Sequence, residues 1–187
     1  MKRAVSLLLV LVMCLSETVL AASFPDVNSN ADYAEAVDYI SEIGIMVGDE
    51  QGNFNPTKTV TRAEMATVIC RLMGEDEGSS TEQALFPDVP VGHWANGYVS
   101  KAAELGVVNG YDNGNFGPAD IVTYEQAVTM IIRTMGGEGF AQDSGGYPDG
   151  YLLVAETNGF LAGLSLKPGD EMSRADVALL VYNCYSF

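Results

Sequence analysis

Val60-Thr61-Arg62-Ala63-Glu64-Met65 and Val122-Thr123-Tyr124-Glu125-Gln126-Ala127 stand 62 residues apart, and one offset relates everything around them. Residues 24–74 and 86–136 align at that spacing without a gap, with 19 of 51 positions identical. The pair Phe24–Val27 and Phe86–Val89 both read FPDV, and Gly52–Pro56 matches Gly114–Pro118. A degraded third copy follows: Glu156–Gly159 echoes Glu42–Gly44, and Met172-Ser173-Arg174-Ala175-Asp176 echoes Val60–Glu64. Three similar surfaces point to a binding module rather than to one catalytic centre.

Each unit reads helix, loop, helix. Val37, Ile40 and Ile43 fall at helical spacing before Gly44. Val99, Ala102, Ala103 and Leu105 do so before Gly106, and Leu152, Leu153 and Ala155 precede Gly159. A glycine just past the last periodic residue supplies the left-handed terminator. The loops Gly48–Pro56 and Gly110–Pro118 are rich in turn residues, with Phe54 and Phe116 expected to plug back onto the core. The second helix opens on a capping box, Thr61 with Glu64 and Thr123 with Gln126; Ser173 with Asp176 is the weaker version. The apolar positions that follow, Met65, Val68, Ile69 and Leu72, and Val177, Leu180, Val181 and Cys184, form core stripes. Glu75–Leu85 reads as an acidic linker and residues 137–146 as a glycine-rich flexible one.

Lys2 and Arg3, the apolar run Ala4–Leu15 and the small residues around Ala21 make residues 1–21 an export signal, too short to span a bilayer comfortably. Bulky Leu11-Val12-Met13 before Cys14 fit a lipid-modification signal poorly. The 187 residues carry a formal charge of −16, about −17 after cleavage, which excludes nucleic acid as a partner. No membrane association is expected once the signal is removed. Cys70 and Cys184 sit in apolar helical patterns, so buried free thiols are favoured over a disulfide. His93 is the lone histidine, no nucleophile elbow or phosphate loop is present, and Asp112-Asn113-Gly114-Asn115 lacks the ligand spacing of a calcium loop. Neither a metal, a cofactor nor a catalytic residue is expected.

Arg62 and Arg174 occupy the first helical position, where a cation opposes the helix dipole. Either a neighbouring carboxylate such as Asp26 or Glu64 balances it, or the cap and the guanidinium together form an anion site. Trp94, beside His93 at a helix start, either stacks on a sugar face or staples the helix to the core. Asp32 and Tyr147 hold the matching positions in the first and third units.

These motifs together resemble the S-layer homology domain: F-x-D-V, a tryptophan before an apolar helix, G-I at its end, a G-x-F-x-P loop and then T-R-A-E. The resemblance implies an all-α fold of three helix-loop-helix repeats, at 24–74, 86–136 and a degenerate 147–187, arranged as a pseudo-threefold spindle. It further implies grooves that hold secondary cell-wall polysaccharide or another peptidoglycan-linked glycan, often pyruvylated, and so anchor an exported protein at the cell wall or S-layer. Arg62, Arg174 and Trp94 carry over as ligand candidates, with Asp26, Asp88, Tyr124 and Tyr147 completing the set. Tyr124 replaces the motif's arginine in the second unit, and Trp94 has no tryptophan counterpart in the first. No single unit therefore holds both key residues unless Tyr147 substitutes in the third. At most two grooves are expected to function. The rival expectation is an envelope scaffold that docks to another surface protein and has lost glycan binding.

Overall fold

The computed structural model describes residues 24–75 and 83–185. The export signal, Cys14 and residues 76–82 of the acidic linker lie outside them. The elements are α1 (Ala34–Glu42), α2 (Arg62–Leu72), α3 (Asn96–Glu104), α4 (Tyr124–Thr134), α5 (Glu138–Asp143), α6 (Asp149–Thr157) and α7 (Arg174–Tyr185). All regular structure among the described residues is helical, apart from three isolated β-bridges. None of these helices is long and apolar enough to cross a membrane.

Each unit closes its core with help from another. The first helix of unit two, α3, packs on α2 of unit one. That of unit three, α6, packs on α4 of unit two, and α1 packs on α7, which closes the circle. The second helices stand inside, α4 touching both α2 and α7.

A ring of amides holds the helix starts together. Val60 N–H donates to Met172 O at 2.9 Å, Met172 N–H to Val122 O at 3.1 Å, and Val122 N–H to Val60 O at 2.9 Å. All three side chains are buried on the pseudo-threefold axis. One step along, Arg62, Tyr124 and Arg174 N–H donate at 2.8 Å to the carbonyls of Asp120, Asp170 and Lys58. The orphan amides at the start of each inner helix are thereby satisfied by the loop of another unit.

The local expectations meet the structure unevenly. Gly44, Gly106 and Gly159 all take positive φ, at 77°, 71° and 76°. Phe54 and Phe116 are fully buried, in ring contact with Phe24 and Phe86 at 5.3 and 5.4 Å. That contact needs Gly48 and Gly110, since a Cβ there would fall 2.6 or 2.5 Å from a phenyl carbon. The capping boxes of α2 and α7 are reciprocal, so Ser173 with Asp176 is not the weak one. The loose box is at α4, where Gln126 Oε1 sits 3.5 Å from Thr123 N and Thr123 Oγ1 has no partner. Cys70 and Cys184 are buried free thiols, pushed up by burial to about 11 and about 12.

The glycine-rich segment is not a flexible connector. It contains α5, held by Glu138 Oε2, which accepts from Arg133 Nε at 2.7 Å, and by buried Ala141. Glycine content misleads here because Gly137 and Gly150 serve close packing. A Cβ on Gly137 would come within 2.8 Å of Ile132 Cγ2, and one on Gly150 would collide with the Ala141 carbonyl.

Candidate functional site

The cap that starts α2 aims the Arg62 side chain away from its own unit and into the loop of the next. Arg62 Nε donates to Phe116 O at 2.9 Å and Nη2 to Asn109 O at 2.8 Å, while the guanidinium lies 4.7 Å from the ring centres of both Tyr111 and Phe116. Arg174 repeats the arrangement on unit one. Its Nε donates to Phe54 O at 2.6 Å, its Nη2 to Val47 O at 2.7 Å, and it lies 4.5 Å above the Phe54 ring. The carbonyls, not Asp26 or Glu64, receive these donors. Burial draws both guanidinium pKa values down, against the pull of Tyr111 and Asp120 on Arg62 and of Glu64 and Asp26 on Arg174.

Asp26 and Asp88 each bind two amides of their own unit's loop. Asp26 Oδ1 and Oδ2 accept from Phe54 N and Asn55 N at 2.8 and 2.6 Å; Asp88 does the same for Phe116 N and Gly117 N, each at 2.8 Å. Burial opposes ionisation of Asp88, but the two amides hold its carboxyl below the usual range. Both carboxylates staple the loop whose carbonyl the arginine grips, so they shape the site from behind.

Each arginine lies in the wall of a cleft assembled from all three units. The Arg62 cleft, about 590 Å³, has the unit-one arginine, Gln126, Thr129 and Arg133 from α4, and Tyr147 from unit three. The Arg174 cleft, about 100 Å³, has the unit-three arginine, Glu64, Thr67 and Arg71 from α2, and Trp94 from unit two. Position for position the two match, so arginine and aromatic meet across unit boundaries. The apparent absence of a unit holding both residues is removed by the ring, not by substitution within a unit. Trp94 is 61% exposed, stacked on His93 at 5.8 Å; Tyr147 is 55% exposed, edge-on to Tyr151 at 6.5 Å.

The third position differs in its residues. Tyr124, in place of the arginine, is buried in the core, with its hydroxyl pKa raised by burial and by Glu156. Asn183 stands where Arg71 and Arg133 stand in the other units. Its amide donates to Phe160 O and Ala162 O at 3.0 and 2.8 Å. Ala162 corresponds to Val47 and Asn109, so the amide takes over an acceptor that arginine uses elsewhere. Tyr124, expected among the ligand residues, packs in the core.

Arg71, Arg133, Thr67 and Thr129 escaped the reading of the sequence as site residues. Their signal was present: both pairs are identical between repeats at the same offset as the motifs. It was masked because a helical arginine among apolar neighbours reads as a solvated position.

The described helices thus close a three-unit ring with two arginine-and-aromatic clefts between units. The S-layer homology domain model matches residues 23–66 and 85–128, and the chain belongs to that family. The chain is 35% identical over 161 residues to a cell surface protein of Thermoanaerobacter kivui, covering 84% of this chain and 20% of that protein. It is 30% identical over 156 residues to the middle cell wall protein of Brevibacillus brevis, covering 82% and 14%. It is 29% identical over 116 residues to a cellulosome-anchoring protein of Acetivibrio thermocellus, covering 60% and 26%. The chain thus spans about a quarter or less of these relatives. Residues 147–187 lie outside both matched segments, yet α6 and α7 complete the ring.

Proposed function

We propose that this chain is a non-catalytic anchoring module that holds an exported protein on a bacterial cell wall by binding an acidic secondary cell-wall polysaccharide. The observation that carries the reading is the pair of composite clefts. Each sets a desolvated guanidinium beside a second arginine and an exposed aromatic, which suits a sugar ring bearing a carboxylate. A pyruvyl ketal on the sugar is the acid group that the family resemblance implies. The names of the relatives, a cell surface protein, a cell wall protein and a cellulosome-anchoring protein, support the location. So does the export signal read at residues 1–21.

A net charge of −16 repels an anionic polymer at long range, but salt screens beyond about 10 Å, so the arginines act at contact. The test is sedimentation with purified walls before and after chemical removal of the attached polysaccharide. Retention only on intact walls, lost in a folded Arg62→Ala/Arg174→Ala double variant, is expected. Equal retention on stripped walls, or by the double variant, would favour the envelope-scaffold reading, to which the buried Tyr124 in place of a third arginine gives some ground.

A further inference from the structure

A second surface, away from both arginine clefts, is lined by apolar side chains. Between α4, α5 and α6 lies a cleft of about 560 Å³ whose walls include Ile132, Met135, Phe140, Leu153, Val154 and Phe160. Met135 also borders an adjoining cleft of about 410 Å³, formed where α2, α4 and α7 end near Met73 and Tyr185. The two form one apolar band around the C-terminal ends of the inner helices. Phe140 is 73% exposed and Leu153 50%. A frayed linker could expose a phenylalanine incidentally, but Phe140 stands on α5, which is locked by the Arg133–Glu138 pair, by Gln142 Nε2 donating to Tyr151 Oη at 3.1 Å, and by buried Ala141. The fold holds this ring out in water, as an interface anchor is held.

Charge selects the occupant. Between Arg133 and Lys167 there is no lysine or arginine, while Asp143, Asp149 and Glu156 are exposed. Asp149, Leu153 and Glu156 follow helical spacing along one side of α6, and Asp143 adjoins Ser144 in the cleft wall. An anionic rim around apolar pockets repels anionic lipid and a second copy of this acidic chain. It complements lysine or arginine flanking apolar side chains.

We propose that this band docks a basic amphipathic segment of another envelope protein, so that one end of the module is available to a protein partner. The proposal stands independently of the glycan reading.

The probe is a synthetic amphipathic helix with leucines on one face and lysines on the other, titrated onto the full chain and followed calorimetrically. A control peptide carries glutamates in place of the lysines. The lysine peptide is expected to bind at least about tenfold more tightly than the control, with Phe140→Ala and Leu153→Ala each weakening it about tenfold. Asp149→Asn/Glu156→Gln is expected to weaken it and flatten its salt dependence. These side chains are largely exposed, so the variants should keep the parent melting temperature, which is measured in parallel. Equal affinity for both peptides, indifference to Phe140→Ala in a folded variant, or a concentration-dependent dimer abolished by Phe140→Ala would each overturn the proposal; the dimer would assign the band to a second copy.

Discussion

Arg62 is buried, 4% exposed, and its neighbours explain why it is tolerated at a helix start. Two carbonyls and two aromatic faces replace the water that a guanidinium loses on burial. Arg62→Lys keeps the charge but cannot span both carbonyls with one planar group. Leaving a buried carbonyl without its donor costs about 1–3 kcal/mol. In a domain of this size that corresponds to a fall of roughly 2–4 °C in melting temperature per kcal/mol, measurable by calorimetry. Asp26→Asn separates scaffold from ligand contact. An amide puts an NH2 group where one of the two accepting oxygens stands, so one loop N–H loses its acceptor and the variant should melt lower by a similar amount. Its wall affinity per folded molecule should stay at the parent value; a large selective loss of affinity in a fully folded Asp26→Asn protein would return this carboxylate to the ligand set.

At the scale of elements, α5 offers two tests. Glu138 is held down to about 2, first by the Tyr151 hydroxyl and then by Arg133 and Gln142, with burial opposing them. A carboxyl whose folded pKa lies below its ordinary 4.5 contributes stability that is whole above that value and is lost as pH falls through about 2. Thermal melts taken from above pH 4.5 down to about pH 2 should therefore show a decline that Glu138→Gln diminishes. Gly150→Ala is the geometric counterpart. Its methyl group would collide with the Ala141 carbonyl, pushing α5 off α6. The expected cost is about 1–3 kcal/mol, as in overpacking, with faster amide exchange confined to residues 138–150.

The legibility of these elements in the sequence was uneven for physical reasons. Helix type and terminating glycines depend on neighbours within a few residues, and they read correctly; the plugs Phe54 and Phe116 read correctly because the loop turns leave each flanking an apolar repeat. Capping strength did not: Ser173 with Asp176 closes fully while Thr123 with Gln126 is loose, because the ring contacts around each start set the geometry. The helix α5 was hidden because Gly137 and Gly150 look like linker residues until the surfaces that they admit are known. Likewise the aromatic partner of each arginine comes from a third unit, which no local pattern announces.

The whole molecule is closed in a circle, since α1 packs on α7 and Met172 completes the amide ring with Val60 and Val122. Cooperativity follows from that closure. Far-UV dichroism and fluorescence of Trp94, the lone tryptophan, should report a single coincident unfolding transition. A chain ending at residue 136 lacks the surface that buries Val37 and Ile40, and it should show no cooperative transition. A sharp melt in that fragment would mean that two units suffice.

The repeated pattern of apolar positions, caps and turn residues by itself determined the two helices of each unit, their order and the family of the chain, because each depends on short-range sterics and hydrogen bonding; it did not determine α5. It also marked Arg62, Arg174 and Trp94 as odd. Which side chains share a cleft was decided only by the tertiary structure. Ring closure brings residues from three units to one place, and burial against carbonyls, a long-range property, separates gripping arginines from stapling carboxylates and from the packed Tyr124.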